Sequence, residues 1–416
     1  MAALRPSNAL GRYSTKVWAA KASTASIKHC GTQSVKQFSI QKHRTQTRHV
    51  STSYSGKPKT ALFFPGQGVQ RVGMANAWLE AFPGTCRPIL DEIDALLGFS
   101  LSKMISEGPN SKLTATPNAQ PAIMGTSVLI LRVLEQEYGF RTSERVDVCL
   151  GHSLGEFAAV VAGKYLTFPD ALRLLRNRAE EMARCSANAS KASDGAEYGM
   201  VALVCEPDRL SSLMDAINGF LGYAASEGGK HDSANHAPTI DQVLVANVNS
   251  KNQIVLSGNI DRIDNLLVQL RQFGGHDPRH VRLATDSPFH SPIMFPAAKF
   301  MRESLEKIEV TFPGAFPVIS NVSARPFGNA RNLRELLARQ CVETVRWWDS
   351  IRYLDQEQGI RRWVGIGPGK VGRNLVGKEV GMRGADQVRG GGVWGITSPK
   401  EAEEAMRGLE ETEGGS

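Results

Sequence analysis

The stretch VDVCLGHSLGEFAAVVAGKY, residues 146–165, joins a short apolar run to a helical pattern through a glycine-rich turn. VDVCL predicts a buried strand because it is short, apolar and partly β-branched, and EFAAVVAGKY predicts a helix. The turn between them reads GHSLG, which is the pattern Gly-x-Ser-x-Gly. On a strand-to-helix turn the glycines permit a sharp bend that exposes the serine, and the N–H groups that follow can face an oxyanion. This context favours Ser153 as a nucleophile over a structural serine in a tight turn.

The patterns on both sides of this turn predict an α/β protein. KTALFFPGQG (59–68) predicts a strand that ends in a turn, and QPAIMGTSVLILRVLEQEYG (120–139) predicts a helix. From 199 to 285 the patterns follow the order strand, helix, strand, strand, helix, strand, which is the order of a ferredoxin-like unit. We therefore predict a large α/β domain with a smaller ferredoxin-like domain inserted into it.

These patterns also set the predicted boundaries. The large domain covers 59–195 and resumes at 286–396, and the small domain covers 196–285. Residues 225–239 are polar and rich in glycine and alanine, which predicts a disordered loop. The acidic segment 397–416 predicts a solvent-exposed helix that frays into a tail.

Charge is distributed unevenly along the chain. The formal net charge is +8, yet the first 79 residues contain no Asp or Glu. Eleven basic residues lie between the N-terminus and Lys59, with Lys59 included. Without them, the chain has 38 basic and 41 acidic residues. A basic, acid-free leader rich in Ser and Thr has the composition of a mitochondrial transit peptide. We therefore predict that residues 1–50 direct the protein to the mitochondrial matrix; the alternative is a basic tail that stays attached.

Composition argues against several other classes of function. The basic charge lies in the leader, so the body is not expected to bind nucleic acid. No apolar run is long enough to span a bilayer. The six cysteines show no CxxC pair or regular spacing, so neither a metal site nor a disulfide framework is indicated. The turn PGQG (65–68) lacks the Lys-Ser/Thr of a P-loop. The turn GIGPGKVG (365–372) lacks the context of a dinucleotide fingerprint, so nucleotide binding is disfavoured.

A nucleophilic serine needs a base, because its hydroxyl is barely ionised at neutral pH. His290, in SPFHSPIM (287–294), lies where the chain returns from the small domain to the large one, and such boundaries line clefts. It is the preferred base, with a satisfied surface histidine as the alternative. His152 directly precedes the serine and is better interpreted as a packed or hydrogen-bonded side chain.

Arg178 interrupts an apolar stripe of helical spacing in DALRLLRNRAEEM (170–182). Its guanidinium is therefore expected on the buried face of a helix, where a lone charge is very unfavourable and must be paired. Two partners remain open at this point. One is a protein carboxylate in an internal ion pair, and the other is a carboxylate of the substrate, which the planar fork of arginine matches.

The motifs together point to one family. They are, in chain order, FPGQG (64–68), GHSLGEFAA (151–159), Arg178 with Met182, ANVNSKNQIVLSG (246–258), PFHSPIM (288–294), ISNVSA (319–324), VRWWDSI (345–351) and GPGKVGRNLVG (367–377). Between residues 60 and 380 the set resembles the malonyl-CoA:acyl-carrier-protein transacylases of the free-standing type. The resemblance implies an α/β-hydrolase-like large domain with a ferredoxin-like insertion. It also implies no bound cofactor, and malonyl-CoA and phosphopantetheinylated acyl carrier protein as substrates for fatty acid synthesis.

The resemblance also assigns roles to individual residues. Ser153 would be the acylated nucleophile, His290 the base, the N–H groups of Gln67 and Leu154 the oxyanion hole, Arg178 the clamp for the malonyl carboxylate, Gln340 the residue whose carbonyl orients the histidine, and Gln67 and Asn249 further substrate contacts. The implied reaction is ping-pong, through a malonyl-serine intermediate. A neutral carbonyl in place of an aspartate would leave the histidine less basic. On that basis, a carboxylate introduced at Gln340 is expected to raise hydrolysis relative to transfer.

Two other functions compete with acyl transfer. A serine hydrolase such as a thioesterase also uses Gly-x-Ser-x-Gly, but its histidine usually lies close to the C-terminus, whereas more than a hundred residues follow His290 here. A hydrolase also gives no reason for a buried arginine. The second rival is a catalytically inactive homologue that only binds acyl carrier protein.

Overall fold

The computed structural model describes residues 58–222, 241–381 and 391–413. The predicted leader, 1–50, the predicted loop, 225–239, and the last three residues of the acidic segment lie outside these ranges.

The described strands form two sheets. Their bounds are β1 (Lys59–Phe64), β2 (Val148–Gly151), β3 (Tyr198–Val204), β4 (Leu244–Ser250), β5 (Gln253–Asn259), β6 (Arg279–Arg282), β7 (Val318–Ile319), β8 (Ile360–Ile366) and β9 (Gly392–Ile396). The first sheet has the order β7-β2-β1-β8-β9, with all pairs parallel. The second has the order β4-β5-β3-β6, with all pairs antiparallel. The chain is thus an α/β protein with a parallel sheet and a separate antiparallel sheet.

Helices surround both sheets. Their bounds are α1 (Asn76–Ala81), α2 (Pro83–Leu97), α3 (Leu101–Glu107), α4 (Asn110–Thr114), α5 (Thr116–Glu137), α6 (Thr142–Arg145), α7 (Gly155–Ala162), α8 (Phe168–Ala192), α9 (Leu210–Leu221), α10 (Ile260–Gln272), α11 (Phe295–Leu305), α12 (Ala330–Arg339), α13 (Trp347–Arg352), α14 (Val371–Val380) and α15 (Pro399–Glu411). A π-helical turn, Tyr353–Glu357, follows α13, and short 3-10 turns lie at Pro207–Arg209 and Pro292–Met294.

The parallel sheet is buried on both faces, which explains why its strands read as continuous apolar runs. Along β1, Leu62 and Phe64 pack into the core that contains α5 and α8. The alternating residues Ala61 and Phe63 pack on the opposite side, against a core that includes Trp363. Because successive side chains of a strand point to opposite faces, β1 contributes apolar side chains to the cores on both sides of the sheet. The carboxyl ends of β1 and β2 lie side by side, since Phe64 pairs with Gly151.

The antiparallel sheet carries α9 and α10, whose apolar faces form a separate core with β3 and β5. Its elements occur in the order strand, helix, strand, strand, helix, strand that the sequence predicts. The segment before α13 ties this sheet to the rest of the fold. Val345 N donates to Ala246 O (2.8 Å), and Val345 O accepts from Val248 N (3.0 Å). That segment begins just after Gln340, so the same stretch of chain, 340–345, reaches both the predicted site and the antiparallel sheet.

The C-terminal segment differs from the prediction. We predicted that the acidic helix within 397–416 is exposed to solvent, but one face of α15 is buried, at Ala402, Ala405, Met406 and Leu409. These residues recur at helical spacing between the acidic ones, so the helix is amphipathic and packs on β9. Strand β9, in a glycine-rich stretch, was not predicted. Within the described ranges, no helix combines the length and apolarity needed to cross a membrane.

Candidate active site

Ser153 lies on a strained turn between β2 and α7. Its φ of 50° is in the left-handed region, which non-glycine residues adopt rarely and mostly where the surroundings enforce it. The flanking glycines are required by close approach: a Cβ on Gly151 would lie 2.0 Å from the Gly155 backbone, and one on Gly155 would lie 2.6 Å from Phe64 O. The Gly-x-Ser-x-Gly pattern therefore brings the turn against the end of β1, as the sequence predicts.

His290 is placed to act as a base for Ser153. Its Nε2 is 2.8 Å from Ser153 Oγ, and its Nδ1 donates to the main-chain carbonyl of Gln340 (2.7 Å). That second bond places the ring proton on Nδ1 and leaves the Nε2 lone pair for the serine hydroxyl. His290 also has a positive φ, 57°, and is 2% exposed. Both members of the pair are thus held in unusual backbone conformations by the surrounding fold.

The reactivity of the Ser153–His290 pair should be insensitive to mild acid. Burial and the nearby charge of Arg178 lower the pKa of His290 to about 3, with a smaller contribution from His152 and opposition from the Gln340 carbonyl. The imidazole therefore stays neutral at pH 5. In the unfolded chain this imidazole takes up a proton below about pH 6.5, whereas in the folded protein it does so only near pH 3. The free energy of unfolding therefore decreases as the pH falls from about 6.5 towards 3.

We predict that a fluorophosphonate labels Ser153 at rates that differ by less than about twofold between pH 7 and pH 5. For a histidine with an ordinary pKa near 6.5, the fraction of neutral imidazole would fall about 25-fold over this interval. Circular dichroism at each pH checks that the protein remains folded. A steep fall in labelling with an unchanged spectrum would contradict this account of His290.

Arg178 lies on the buried face of α8 and is 1% exposed. Its Nη1 donates to Gln120 Oε1 (2.7 Å) and its Nη2 to Gln340 Oε1 (2.8 Å), while its Nε has no partner. In the described ranges no carboxylate lies within ion-pair distance of this guanidinium. Of the two partners that the sequence left open, the internal ion pair is therefore absent here. A buried cation held by neutral amides, with a spare donor, is suited to receive a carboxylate.

Gln340 connects the arginine, the serine and the histidine. Its side-chain Nε2 donates to Ser153 O (2.9 Å) and to Glu156 Oε2, and its Oε1 receives Arg178. The contact with His290 is made by the main-chain carbonyl. The prediction that Gln340 orients the histidine agrees with this geometry. A carboxylate introduced in the side chain would not lie on Nδ1, so the expected rise in hydrolysis no longer follows.

Gln67 and Leu154 flank the nucleophile from two directions. Gln67 follows β1, and Leu154 immediately follows the serine at the start of α7. The Gln67 side chain donates to Thr116 Oγ1 (3.0 Å) and accepts from Gln120 (3.4 Å), the residue that also binds Arg178. The two main-chain N–H groups lie three residues beyond the carboxyl ends of the neighbouring strands β1 and β2, a position that suits an oxyanion hole.

Asn249 does not contact the reacting groups directly. Its Oδ1 accepts from His152 Nε2 (2.9 Å), and the His152 ring packs edge-on against Trp347 with centroids 5.4 Å apart. Burial lowers the pKa of His152, opposed by the Asn249 contact. His152 is therefore a packed, hydrogen-bonded side chain, as the sequence predicts. The contacts of Asn249 support the turn through His152 and give no support for its predicted place among the substrate contacts.

Three residues of the site were missed by the sequence analysis. Asn321 Oδ1 accepts from Ser153 N (2.7 Å), and Asn321 Nδ2 donates to Gly151 O (2.6 Å), so this side chain holds the first and the middle residue of the turn. Glu156 is 0% exposed, and Gln120 binds Arg178. Glu156 was within the quoted motif, and an acidic residue in an apolar helix start was a signal for it. Asn321 lies within the motif ISNVSA (319–324), but nothing in the local pattern indicates which group it binds, and Gln120 has no signal of its own.

Burial raises the pKa of Glu156 to about 8, opposed by hydrogen bonds from Asn321 and Gln340 and by the charge of Arg178. The charge of Arg178 thus lowers the pKa of both ionisable groups beside it, His290 and Glu156.

Within the described ranges, no group of three His, Cys, Asp or Glu side chains is arranged to hold a metal ion.

Comparison with known proteins decides the family. Residues 62–214 match the acyl transferase domain. The malonyl CoA-acyl carrier protein transacylase of Bacillus subtilis (strain 168) is 34% identical over 326 residues, which cover 78% of this chain and 91% of that protein. This chain belongs to the malonyl-CoA:acyl-carrier-protein transacylase family. Its relative in Haemophilus influenzae, of the same name, is 30% identical over 323 residues and covers 78% of this chain and 93% of that protein.

Solved structures of malonyltransferases are similar to this fold. The acyl-carrier-protein-S-malonyltransferase of Bartonella henselae superposes with a TM-score of 0.69 at 30% identity, over 85% of this chain and 99% of that one. A malonyl-transacylase solved in complex with its type II polyketide acyl-carrier protein gives a TM-score of 0.69 at 27% identity, over 84% of this chain and 99% of that one. The α/β architecture of this family member is therefore that of malonyltransferases.

Proposed function

We propose that this protein transfers the malonyl group of malonyl-CoA to the phosphopantetheine thiol of acyl carrier protein, for fatty acid synthesis. The observation that carries the proposal is the shared contact of Gln340 with Ser153 and with Arg178. One amide thus joins a nucleophile to a buried cation that has no carboxylate partner among the described residues. A substrate with a thioester at one end and a carboxylate at the other fits both, and malonyl-CoA has that chemistry. Family membership supports the same substrate and the same partner.

The first half-reaction acylates the serine. His290 Nε2 removes the proton of Ser153 Oγ as the oxygen attacks the thioester carbonyl carbon of malonyl-CoA. The carbonyl π electrons move to the oxygen, and we propose that the N–H groups of Gln67 and Leu154 stabilise that oxyanion. Arg178 holds the malonyl carboxylate meanwhile. The tetrahedral intermediate then releases the sulfur of CoA, which takes the proton from His290 and leaves as the thiol.

The second half-reaction runs the same steps towards the carrier. His290 removes the proton of the phosphopantetheine thiol as its sulfur attacks the malonyl-serine ester. The intermediate collapses with release of Ser153 Oγ, which recovers its proton from His290. Each half-reaction exchanges one acyl bond for another, so the chemistry needs no bound cofactor and no redox partner.

We further propose a finer description of the fold. The strand order β4-β5-β3-β6, with α9 and α10 on one face, supports a ferredoxin-like small domain within 196–285. The serine on a strained turn after an internal strand of the parallel sheet supports an α/β-hydrolase-like large domain formed by 59–195 and 286–396.

We also propose that the protein acts in the mitochondrial matrix. The acid-free, basic composition of the first 79 residues supports this location. A fluorescent protein fused after residue 58 would test it. We expect the fusion to be imported and shortened; a diffuse, full-length fusion would argue for the basic tail instead.

The transfer itself is tested with the full-length protein, malonyl-CoA and purified acyl carrier protein. Mass spectrometry of the carrier is expected to detect a malonyl group on the holo form. The apo form, which lacks the phosphopantetheine thiol, is the control and should remain unmodified. Malonyl-CoA consumption with no acylated holo carrier would favour a hydrolase, and no consumption would favour an inactive carrier-binding protein.

A further inference from the structure

A buried carboxyl group lies directly beneath the site without any part in the reaction described above. Glu156 is the second residue of α7, three residues after the nucleophile, and is fully buried. Its Oε1 accepts from the main-chain N–H of Asn321 (3.0 Å), and its Oε2 is bound by the Gln340 amide. A buried carboxyl group is unfavourable unless its hydrogen bonds are well made, so its location there calls for an explanation.

The two groups that Glu156 binds are the two that hold the reacting residues. On the Oε1 side, Asn321 clamps the nucleophile turn through Ser153 N (2.7 Å) and Gly151 O (2.6 Å). On the Oε2 side, Gln340 holds Arg178 through its side-chain oxygen (2.8 Å). The main-chain carbonyl of the same residue binds the ring of His290. Among the side chains of the described residues, Glu156 is therefore the one that hydrogen-bonds to both supports.

Glu156 and the main-chain carbonyl of Ser153 together fix which way the Gln340 amide faces. Arg178 can only donate, so it requires the amide oxygen, and the carboxyl oxygen requires the amide N–H. With both partners present, only one of the two amide orientations satisfies every contact. Without the carboxyl acceptor, Ser153 O is the remaining acceptor for the amide N–H groups, so one contact fewer holds the orientation that gives Arg178 the amide oxygen.

We propose that Glu156 is a positioning residue that holds the malonyl clamp and the serine–histidine pair in a common alignment, through Gln340 and Asn321. It touches neither substrate nor reacting atoms. Its loss should therefore affect reactions of all acyl groups through Ser153 and His290, and reactions of malonyl groups additionally through Arg178. The inference rests on the proposed function, because only a carboxylate-bearing acyl group uses the clamp.

Glu156→Gln tests the inference with nearly the same shape. An amide at this position has one oxygen acceptor, so its NH₂ group must face either Asn321 N–H or the Gln340 amide. Small misplacements of reacting groups lower rates strongly, by up to about 100-fold for 1 Å. We expect kcat/KM to fall about tenfold for acetyl-CoA and about 100-fold for malonyl-CoA. The malonyl KM should rise, and the preference for malonyl over acetyl should fall about tenfold.

Two further variants keep the test decisive. Glu303→Gln, at an exposed glutamate of α11, is the matched control and should behave as the wild type. Glu156→Asp retains the carboxyl group one methylene short, so it should recover part of the malonyl preference; it also serves if Glu156→Gln does not fold. Equal losses for malonyl and acetyl at unchanged KM in the folded variants would overturn the inference while leaving the proposed function intact. A wild-type protein that transfers no malonyl group would overturn both.

Discussion

Malonyl transfer by Arg178→Ala is expected to fall by about 100-fold or more, whereas acetyl transfer is retained or improved. The guanidinium is buried and bound to Gln120 and Gln340, with its Nε free. Two charge-assisted hydrogen bonds to a carboxylate contribute about 3 kcal/mol or more, and each 1.4 kcal/mol is a factor of ten. Acetyl-CoA has no carboxylate to lose. The measurement is kcat/KM for both acyl-CoA substrates.

The matched control is Arg173→Ala, at an exposed arginine on the same helix. It should leave both reactions unchanged. Thermal unfolding of both variants separates loss of the clamp from loss of the fold, because Arg178→Ala also removes the arginine donors from two buried amide oxygens, Gln120 Oε1 and Gln340 Oε1. Equal losses for malonyl and acetyl transfer in a folded Arg178→Ala would mean that the arginine does not recognise the carboxylate.

His290→Ala is expected to slow acylation of Ser153 by a factor of about 10² to 10⁴, the usual contribution of a positioned general base. The side chain lies 2.8 Å from the serine oxygen and is held in its reactive tautomer by Gln340. The rate of the single-turnover burst with malonyl-CoA measures this step, without the later transfer to the carrier.

His280→Ala, at an exposed histidine of β6, is the control and should acylate at the wild-type rate. Adding His290→Ala to Ser153→Ala should cause no further loss, since residues that act as a unit are not additive. An unchanged burst in His290→Ala would contradict its assignment as the base.

The sequence predicts the parts of this site whose signals are local. The Gly-x-Ser-x-Gly turn depends on close packing between neighbouring residues, and the location of Arg178 follows from helical periodicity alone. Strands 59–64 and 198–204, and the helices of the small domain, follow from the same periodicities. His290 was identified from a domain boundary, which is a weaker argument, and the structure brings it to the serine.

The rest of the site depends on distances that no local pattern encodes. Asn321 is 168 positions from the serine whose N–H it binds, and Gln340 is 184 positions from Glu156. The partners of Arg178 could not be chosen by spacing, because an internal carboxylate and a substrate carboxylate satisfy a buried arginine equally well. The C-terminal helix was misjudged because its acidic residues hid a buried stripe of small and apolar side chains.

The central claim is that Ser153 carries a malonyl group between two thiols. Intact-mass spectrometry of the full-length protein after brief exposure to malonyl-CoA, acetyl-CoA and succinyl-CoA in parallel tests it directly, with Ser153→Ala as the control. We predict a malonyl adduct on the wild type, none on Ser153→Ala, and loss of the adduct as soon as holo acyl carrier protein is added. No adduct, or an adduct that disappears equally fast without the carrier, would contradict the account.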